Sequence, residues 1–285
     1  MSQIVQITDL HLVAGDGPLL LEHDTRAAFL KMRKYLMEHH ADCERLIVTG
    51  DLVHDEREEV YQELFEALSP WHDRLRVIPG NHDTRAPMQK VFSSIIREDP
   101  ESVSFLDELN GWTLIGLDTL IEGSVEGDLA GEQWGWLRST VSACAGPVAI
   151  FMHHPPVFVG SQWIDQLSLA SLGIFANLVE DFEQIKLVIC GHVHQEFYTQ
   201  IFHADVLRLP ALACNLNQIL MTLLSTRSPR VFALSISKAT DPTKRKSFAF
   251  KKVMLDGVPR QCFCVYNERS EKFNPLWLRP ARLLL

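Results

Sequence analysis

No apolar run in this 285-residue chain approaches the roughly 18–20 residues of a membrane-spanning helix. The first strand-like stretch, Ile4-Val5-Gln6-Ile7-Thr8-Asp9, begins almost at once. No basic region or cleavage site precedes it, so no secretory signal is expected. The six cysteines, Cys43, Cys144, Cys190, Cys214, Cys262 and Cys264, are scattered. None of their spacings repeats as a zinc-binding pair would, and reduced thiols in a cytoplasm are the expectation. Positive charge is scarce through most of the chain. Residues 1–214 hold 14 Lys and Arg against 32 Asp and Glu, a net charge of −18. That argues against a long nucleic-acid groove, which needs basic residues to meet the phosphates. Residues 215–285 reverse the sign, with 13 Lys and Arg against 4 Asp and Glu, a net +9.

Against these absences stand five short clusters of Asp, Asn and His. They are Asp9-Leu10-His11, Gly50-Asp51, Gly80-Asn81-His82-Asp83, His153-His154-Pro155-Pro156 and Gly191-His192-Val193-His194. Each follows a short β-rich apolar run: Ile4–Ile7, Arg45–Val48, Leu75–Ile78, Val148–Met152 and Leu187–Cys190. Such runs read as buried strands, and open α/β sheets carry their sites at the C-terminal ends of strands. Helices are expected over Thr25–His39 (capped by Asp24, with Ala28, Leu30, Tyr35 and Leu36 in the core), Glu58–Leu68, Pro87–Ile96, Gly131–Ser142 and Ile174–Phe182. Hairpins are expected around Asn110-Gly111 and around His203–Asp205. Strands and helices alternate to about residue 214 without repeat or linker, which reads as one layered α/β domain.

Taken singly, Asp-x-His is more often a solvated loop and Gly-Asn-His-Asp a turn, since Asn and Asp suit turns; His-His-Pro-Pro could be a rigid loop, and Gly-His-x-His alone is only a weak metal signal. In series, each just after a strand, they supply the imidazole nitrogens and carboxylate or amide oxygens that a divalent transition metal takes. A lone carboxylate such as Asp51 can bridge two cations. Two ions about 3.5–4 Å apart would polarise a phosphoryl group and lower the pKa of a bridging water, giving a hydroxide nucleophile. Of the adjacent pair, His153 comes directly off its strand and is the preferred ligand; His154 is the alternative. His54 reads as a site-edge residue or a solvated helix start. His23, His39, His40, His72 and His203 read as surface residues.

The ordered clusters over residues 1–214 resemble the calcineurin-like metallophosphoesterases. The resemblance implies an α/β (α+β) fold: a four-layer αββα sandwich, two mixed sheets flanked by helices. It implies that Asp9, His11, Asp51 and His194 hold a first metal and Asp51, Asn81, His153 and His192 a second. His82 would face the phosphate and stabilise the transition state or protonate the leaving oxygen, with Asp83 orienting it. His11, Asn81, His82 and His194 would also contact substrate. The ions would be Fe, Mn, Zn or Co.

Asp9-Leu10-His11-Leu12, Gly50-Asp51-Leu52-Val53, Leu117-Asp118-Thr119, Gly127-Asp128-Leu129, Gln133-Trp134-Gly135-Trp136-Leu137, His153–Pro156 and Gly191–Glu196 resemble the cyclic-nucleotide phosphodiesterase branch. That implies hydrolysis of 3′,5′-cyclic AMP to the 5′-monophosphate, and it admits a homodimer with neither nucleic acid nor membrane as partner. The same ligands would serve a phosphodiesterase acting on glycerophosphodiesters or 2′,3′-cyclic nucleotides. A lipid-A-pathway pyrophosphatase resembles Gly-Asn-Arg-Asp where this chain has Gly80-Asn81-His82-Asp83. A non-catalytic scaffold on the same fold loses ligands or the phosphate-facing His, and here all are present.

After Cys214 the resemblance stops. Relatives continue with Phe-Lys-Pro and acidic residues, whereas this chain reads Asn215-Leu216-Asn217-Gln218-Ile219-Leu220. Codons exist for Leu216–Ser225 whose neighbouring frame encodes Phe-Lys-Pro-Asn-Ser-Asp-Asp-Phe-Ala-Val. A frameshift near residue 214 is therefore expected, with residues 215–285 an atypical basic segment never selected to fold; the alternative is a genuine basic tail serving as an interaction arm. Its apolar stretches, Ile219–Leu224, Val231–Ile236 and Leu276–Leu285, fit a solvated arm poorly.

Overall fold

A computed structural model describes residues 2–15, 19–20, 23–158, 165, 168–194, 197–208, 232–236 and 251–253. The Ile219–Leu224 and Leu276–Leu285 stretches, with Gln195 and Glu196, lie outside them.

The first sheet holds β1 (Ser2–Ile7), β2 (Arg45–Thr49) and β3 (Leu75–Ile78) in parallel. The second is built from β4 (Phe105–Leu109), β5 (Trp112–Gly116), β6 (Val148–Phe151), β7 (Ile185–Cys190), β8 (Phe197–Ile201) and β9 (Ala204–Arg208). Two further strands, β10 (Phe232–Ile236) and β11 (Lys251–Val253), extend the first sheet antiparallel beyond β1. The orders are β11-β10-β1-β2-β3 and β4-β5-β6-β7-β9-β8. Both sheets are mixed. In the second, β5, β6, β7 and β9 run parallel, and β4 and β8 are antiparallel edges.

Among the described residues, five α-helices cover the outer faces: α1 (Thr25–His39), α2 (Glu58–Ala67), α3 (Arg85–Val91), α4 (Gly131–Ala143) and α5 (Leu172–Asp181). One core lies between the first sheet and α1–α3, around Phe29, Met32, Tyr61, Leu64, Met88 and Val48. Another lies between the second sheet and α4–α5, around Leu137, Val141, Phe175, Val179 and Val188. The third separates the sheets, where Ile4, Ile47 and Ile78 meet Phe105, Trp112, Phe151 and Ile189. This is the expected four-layer sandwich.

Local chemistry explains most element boundaries. Asp24 accepts a hydrogen bond from Ala27 N at 2.8 Å and starts α1 where expected. The apolar stripe of that helix is Phe29, Met32 and Leu36. Leu30, expected in the core, is 55% exposed, because it sits one helical step of 100° off that stripe. The α3 helix starts two residues before Pro87 and ends at Val91, earlier than expected. Pro87 is thus within the first turn, where its missing N–H costs nothing. The second hairpin turns at Phe202-His203, because Ala204 and Asp205 already pair with β8. His40, expected at the surface, is buried, with Nδ1 2.9 Å from Gln3 Oε1.

This topology sets the site. The loops after β1, β2 and β3 leave the same edge of the first sheet, and those after β6 and β7 leave the facing edge of the second. They are laced in register: Asp9 N donates to Gly50 O (3.0 Å), His11 N to Asp51 O (2.9 Å) and Gly191 N to His153 O (3.1 Å).

Candidate metal centre

The donors sit just past five strands, and the backbone explains how they turn inward together. Asp9, His11, Asp51, His192 and His194 all have positive φ, from 44° to 70°. They are five of the eight non-glycine residues in that region among the described residues. Each such residue costs about 1–2 kcal/mol. Strain concentrated on five donors marks them as held for function rather than for stability. Two glycines permit the close approach. A Cβ on Gly50, itself at φ 90°, would strike the His153 ring, and one on Gly80 would strike the Asp51 carboxylate and backbone.

The donors form two adjoining groups. In the first, one ligand atom each from Asp9, His11, Asp51 and His194 lies within 4.8 Å of the others. His194 Nε2 is 3.3 Å from Asp9 Oδ1, and His11 Nε2 is 3.3 Å from Asp51 Oδ2. In the second, His153 Nε2 is 3.4 Å from the same Asp51 Oδ2 and 3.3 Å from His192 Nδ1. One carboxylate oxygen thus stands between the two groups. Its partner, Asp51 Oδ1, accepts from His82 N at 2.9 Å, which fixes the Asn81-His82 loop beside it. Asp9, His11, Asp51 and His153 are fully buried, and Asn81, His82, His192 and His194 are half-buried. Of the two candidate ligands at 153 and 154, His153 is the one that reaches Asp51. His154 lies within the same 4.8 Å of His153 and His192, but its Nδ1 sits 2.8 Å from the Thr119 hydroxyl.

The electrostatics call for cations. Burial would raise the Asp51 carboxyl, yet the His153, His11 and His82 imidazoles outweigh it and hold it well below the usual carboxylate range. Asp9 is lowered the same way, with His194 overcoming burial. Burial opposes protonation of His153 too, but the charges of Asp51 and Asp9 raise it to about 9. Burial pushes His11 down to about 4 and His192 to about 3, so both offer neutral lone pairs at pH 7. His11 Nδ1 and Nε2, Asn81 Oδ1 and His192 Nε2 are buried and make no hydrogen bond. Buried polar atoms are rarely left so. A clustered set of nitrogen and oxygen donors around Asp9 and the shared Asp51 carboxylate fits divalent cations.

Surrounding residues lock the loops. The His153 Nδ1–H donates to Thr49 O at 2.8 Å across the sheets, leaving Nε2 to face Asp51. His192 N donates to the Asp9 carboxylate at 3.2 Å. Asp83, expected to orient His82, instead accepts from Gly80 N (2.8 Å), Leu52 N (3.1 Å), Val53 N (3.3 Å) and Tyr61 Oη (3.1 Å). It ties the loop after β2 to the loop after β3. Sequence reading assigned no role to Arg85. Its guanidinium pairs with the buried Asp118 at 2.8 and 2.9 Å and so fastens the start of α3 to the end of β5. The only sequence clue was the position of Arg85, two residues past Asp83.

His54 sits at the edge of this centre. Its ring stacks on His82 with centroids 4.8 Å apart and planes at 28°. It does not start a helix, since α2 begins at Glu58.

The family model for calcineurin-like phosphoesterases matches residues 2–196. A 3′,5′-cyclic adenosine monophosphate phosphodiesterase of Vibrio vulnificus is 35% identical over 196 residues, 68% of this chain and 70% of the relative. A 3′,5′-cyclic-nucleotide phosphodiesterase of Nostoc is 32% identical over 209 residues, 73% of this chain and 77% of the relative. A dimetal phosphatase from Danio rerio shares the fold at a TM-score of 0.62 and 13% identity, covering 82% of this chain and 92% of that one. With the sandwich, the ordered clusters and this match in hand, the chain belongs to the calcineurin-like phosphoesterase family.

Proposed function

We propose that this chain hydrolyses 3′,5′-cyclic AMP to the 5′-monophosphate at a centre of two metal ions. The observation that carries the reading is Asp51 Oδ2, 3.3 Å from His11 and 3.4 Å from His153 and so between two donor groups. Asp9, His11, Asp51 and His194 would hold the first ion; Asp51, Asn81, His153 and His192 would hold the second. Nitrogen and oxygen donors of this mixture suit Fe, Mn, Zn or Co. When bound, such a pair polarises the phosphoryl group and acidifies a water. His11, Asn81, His82 and His194 line the side on which the phosphate docks. Oxygen from water adds to phosphorus, the P–O3′ bond breaks, and the 3′ oxygen takes a proton. His82, pinned through its backbone to Asp51, is the residue placed to supply that proton or to steady the charge as the bond breaks. Cyclic AMP as substrate rests on the relatives acting on 3′,5′-cyclic nucleotides and on the acidic body. A small nucleotide neutralised by two cations needs no basic surface.

Purified protein loaded with Mn²⁺ is expected to turn over cyclic AMP faster than glycerophosphocholine. Good activity on glycerophosphocholine with none on cyclic AMP moves the substrate to glycerophosphodiesters. No metal uptake and no activity on either makes the protein a scaffold.

The catalytic unit in this reading is residues 1–214, and residues 215–285 follow a shifted reading frame. The reversal of charge and the Phe-Lys-Pro encoded in the neighbouring frame support it, while the antiparallel pairing of β10 with β1 counts against it. A resequenced gene with one intact frame through this region rules it out. A cytoplasmic location accords with the free thiols of Cys43, Cys144 and Cys190. Among the described residues, no helix is long and apolar enough to cross a membrane. Gel filtration tests the homodimer.

A further inference from the structure

His54 lies three residues beyond Asp51, and its backbone is fixed. Its N–H donates to Leu12 O at 2.8 Å, beside the bridge between Leu12 and Val53. That bond fixes its Cα at the rim of the centre, from which the ring reaches His82. Three imidazoles converge there. His54 and His82 have centroids 4.8 Å apart, His11 and His82 4.9 Å, and His11 and His54 5.7 Å. One nitrogen of each lies within 4.8 Å of the other two. His54 Nδ1 is buried and makes no hydrogen bond. Imidazoles sharing one tetrahedral zinc at about 2.0–2.1 Å place their nitrogens about 3.4 Å apart. Turning the His54 ring out of its stack on His82 would bring their nitrogens to that spacing and point both lone pairs at one ion.

His11 is already committed, because its Nε2 faces Asp51 in the first donor group. His54 and His82 have no such commitment to a carboxylate. We propose that they form a third, inhibitory site that takes zinc, with solvent completing the coordination. This inference rests on the two-metal reading and on the role given there to His82. A pair of imidazoles without a carboxylate selects zinc or copper over manganese and magnesium, which favour oxygen. The resident pair, with Asp9 and Asp51, accepts manganese. Zinc bound at His82 occupies the nitrogen that has to serve the leaving oxygen. Activity then falls while both resident ions stay in place.

The test uses full-length protein loaded with Mn²⁺ and titrated with Zn²⁺, with turnover and metal content measured on the same samples. Inhibition is expected to track uptake of a third equivalent of metal while manganese is retained. His54→Gln is expected to keep basal turnover and to move the inhibition midpoint upward by at least about 10–100-fold, since losing a direct ligand costs no less than losing an outer-shell partner. Zinc-soaked crystals read at the zinc edge should show a peak between His54 and His82. Unchanged inhibition in His54→Gln, or zinc found only in place of manganese, overturns the proposal. A zinc peak between His54 and His82 with no manganese pair would leave this site standing and sink the two-metal reading instead.

Discussion

The two donor groups that meet at Asp51 are built by different means. The first takes Asp9, His11 and Asp51 from the first sheet and only His194 from the second. All four of these residues have left-handed backbone, so the loops themselves aim the side chains. The second is divided evenly: Asp51 and Asn81 leave the first sheet, His153 and His192 the second. His153 has no such strain and is held by its hydrogen bond to Thr49 O across the sheet interface. The first group brings two carboxylates, the second one, shared, plus a neutral amide. The first ion should therefore bind more tightly, and the second should depend on how the two sheets are held together.

The largest effect is expected where the groups share an atom. On the two-metal proposal, Asp51→Ala removes a ligand from both and should lower turnover by about a thousandfold or more, beyond the 10²–10³ typical of one lost stabilising donor. Metal content should fall from two ions towards none. Retention of two ions per chain would show that Asp51 does not join the groups. His82→Ala ranks next. It should lose about 10²–10⁴ in turnover, the usual worth of a positioned acid or base, with both metals retained. Equal loss of metal and turnover would make His82 a ligand instead.

Asp9→Asn against Asn81→Ala sharpens the contrast directly. Each is expected to weaken one ion by at least about 10–100-fold, the cost already seen for losing an outer-shell partner. Asn81→Ala should leave one tight ion and one weak one. Asp9→Asn, which removes a charge from the tighter group, should leave two of similar, lower affinity. Competition with a chromogenic chelator reads both constants, and the reverse pattern breaks the comparison.

Much of this was legible because parallel strands put successive loops on one edge, so strand ends in order become neighbours in space. The apolar runs before Asp9, Asp51, Asn81, His153 and His192 were enough to find the layers and to gather the donors. What stayed hidden depended on partners far away in sequence. Positive φ at His11, His192 and His194 has no side-chain signature, since glycine or asparagine is the usual marker of that region. His40 reads as surface until Gln3, 37 residues away, takes its nitrogen. Asp83 stands next to His82 in sequence, yet it faces Leu52, Val53 and Gly80 because three backbone N–H groups converge there. Arg85 and Asp118 are 33 residues apart, and neither position announces the other.

Asp83 yields the smallest effect and the one with a definite sign. It ties the Leu52-Val53 segment, next to the shared Asp51, to the Gly80-Asn81 loop of the second group. Burial, reinforced by the Asp51 charge, raises its carboxyl to about 7 against the opposing Gly80, Leu52 and Val53 hydrogen bonds. An unfolded Asp titrates near about 3.9. A folded pKa above the unfolded one means that the native state binds the proton more tightly. The stability this proton contributes is fully present below about 4 and is lost as pH rises towards about 7. Asp83→Asn is neutral throughout and carries a constant offset, because its amide N–H₂ meets backbone donors. For chelator-treated protein, the urea midpoint of the wild type relative to Asp83→Asn should fall between about pH 4 and 7 and flatten above. Cations beside Asp51 offset the charge that raises Asp83, so Mn²⁺ should shrink that slope. A slope of the opposite sign, or one indifferent to Mn²⁺, would separate Asp83 from the metal centre and leave the two loops joined by something else.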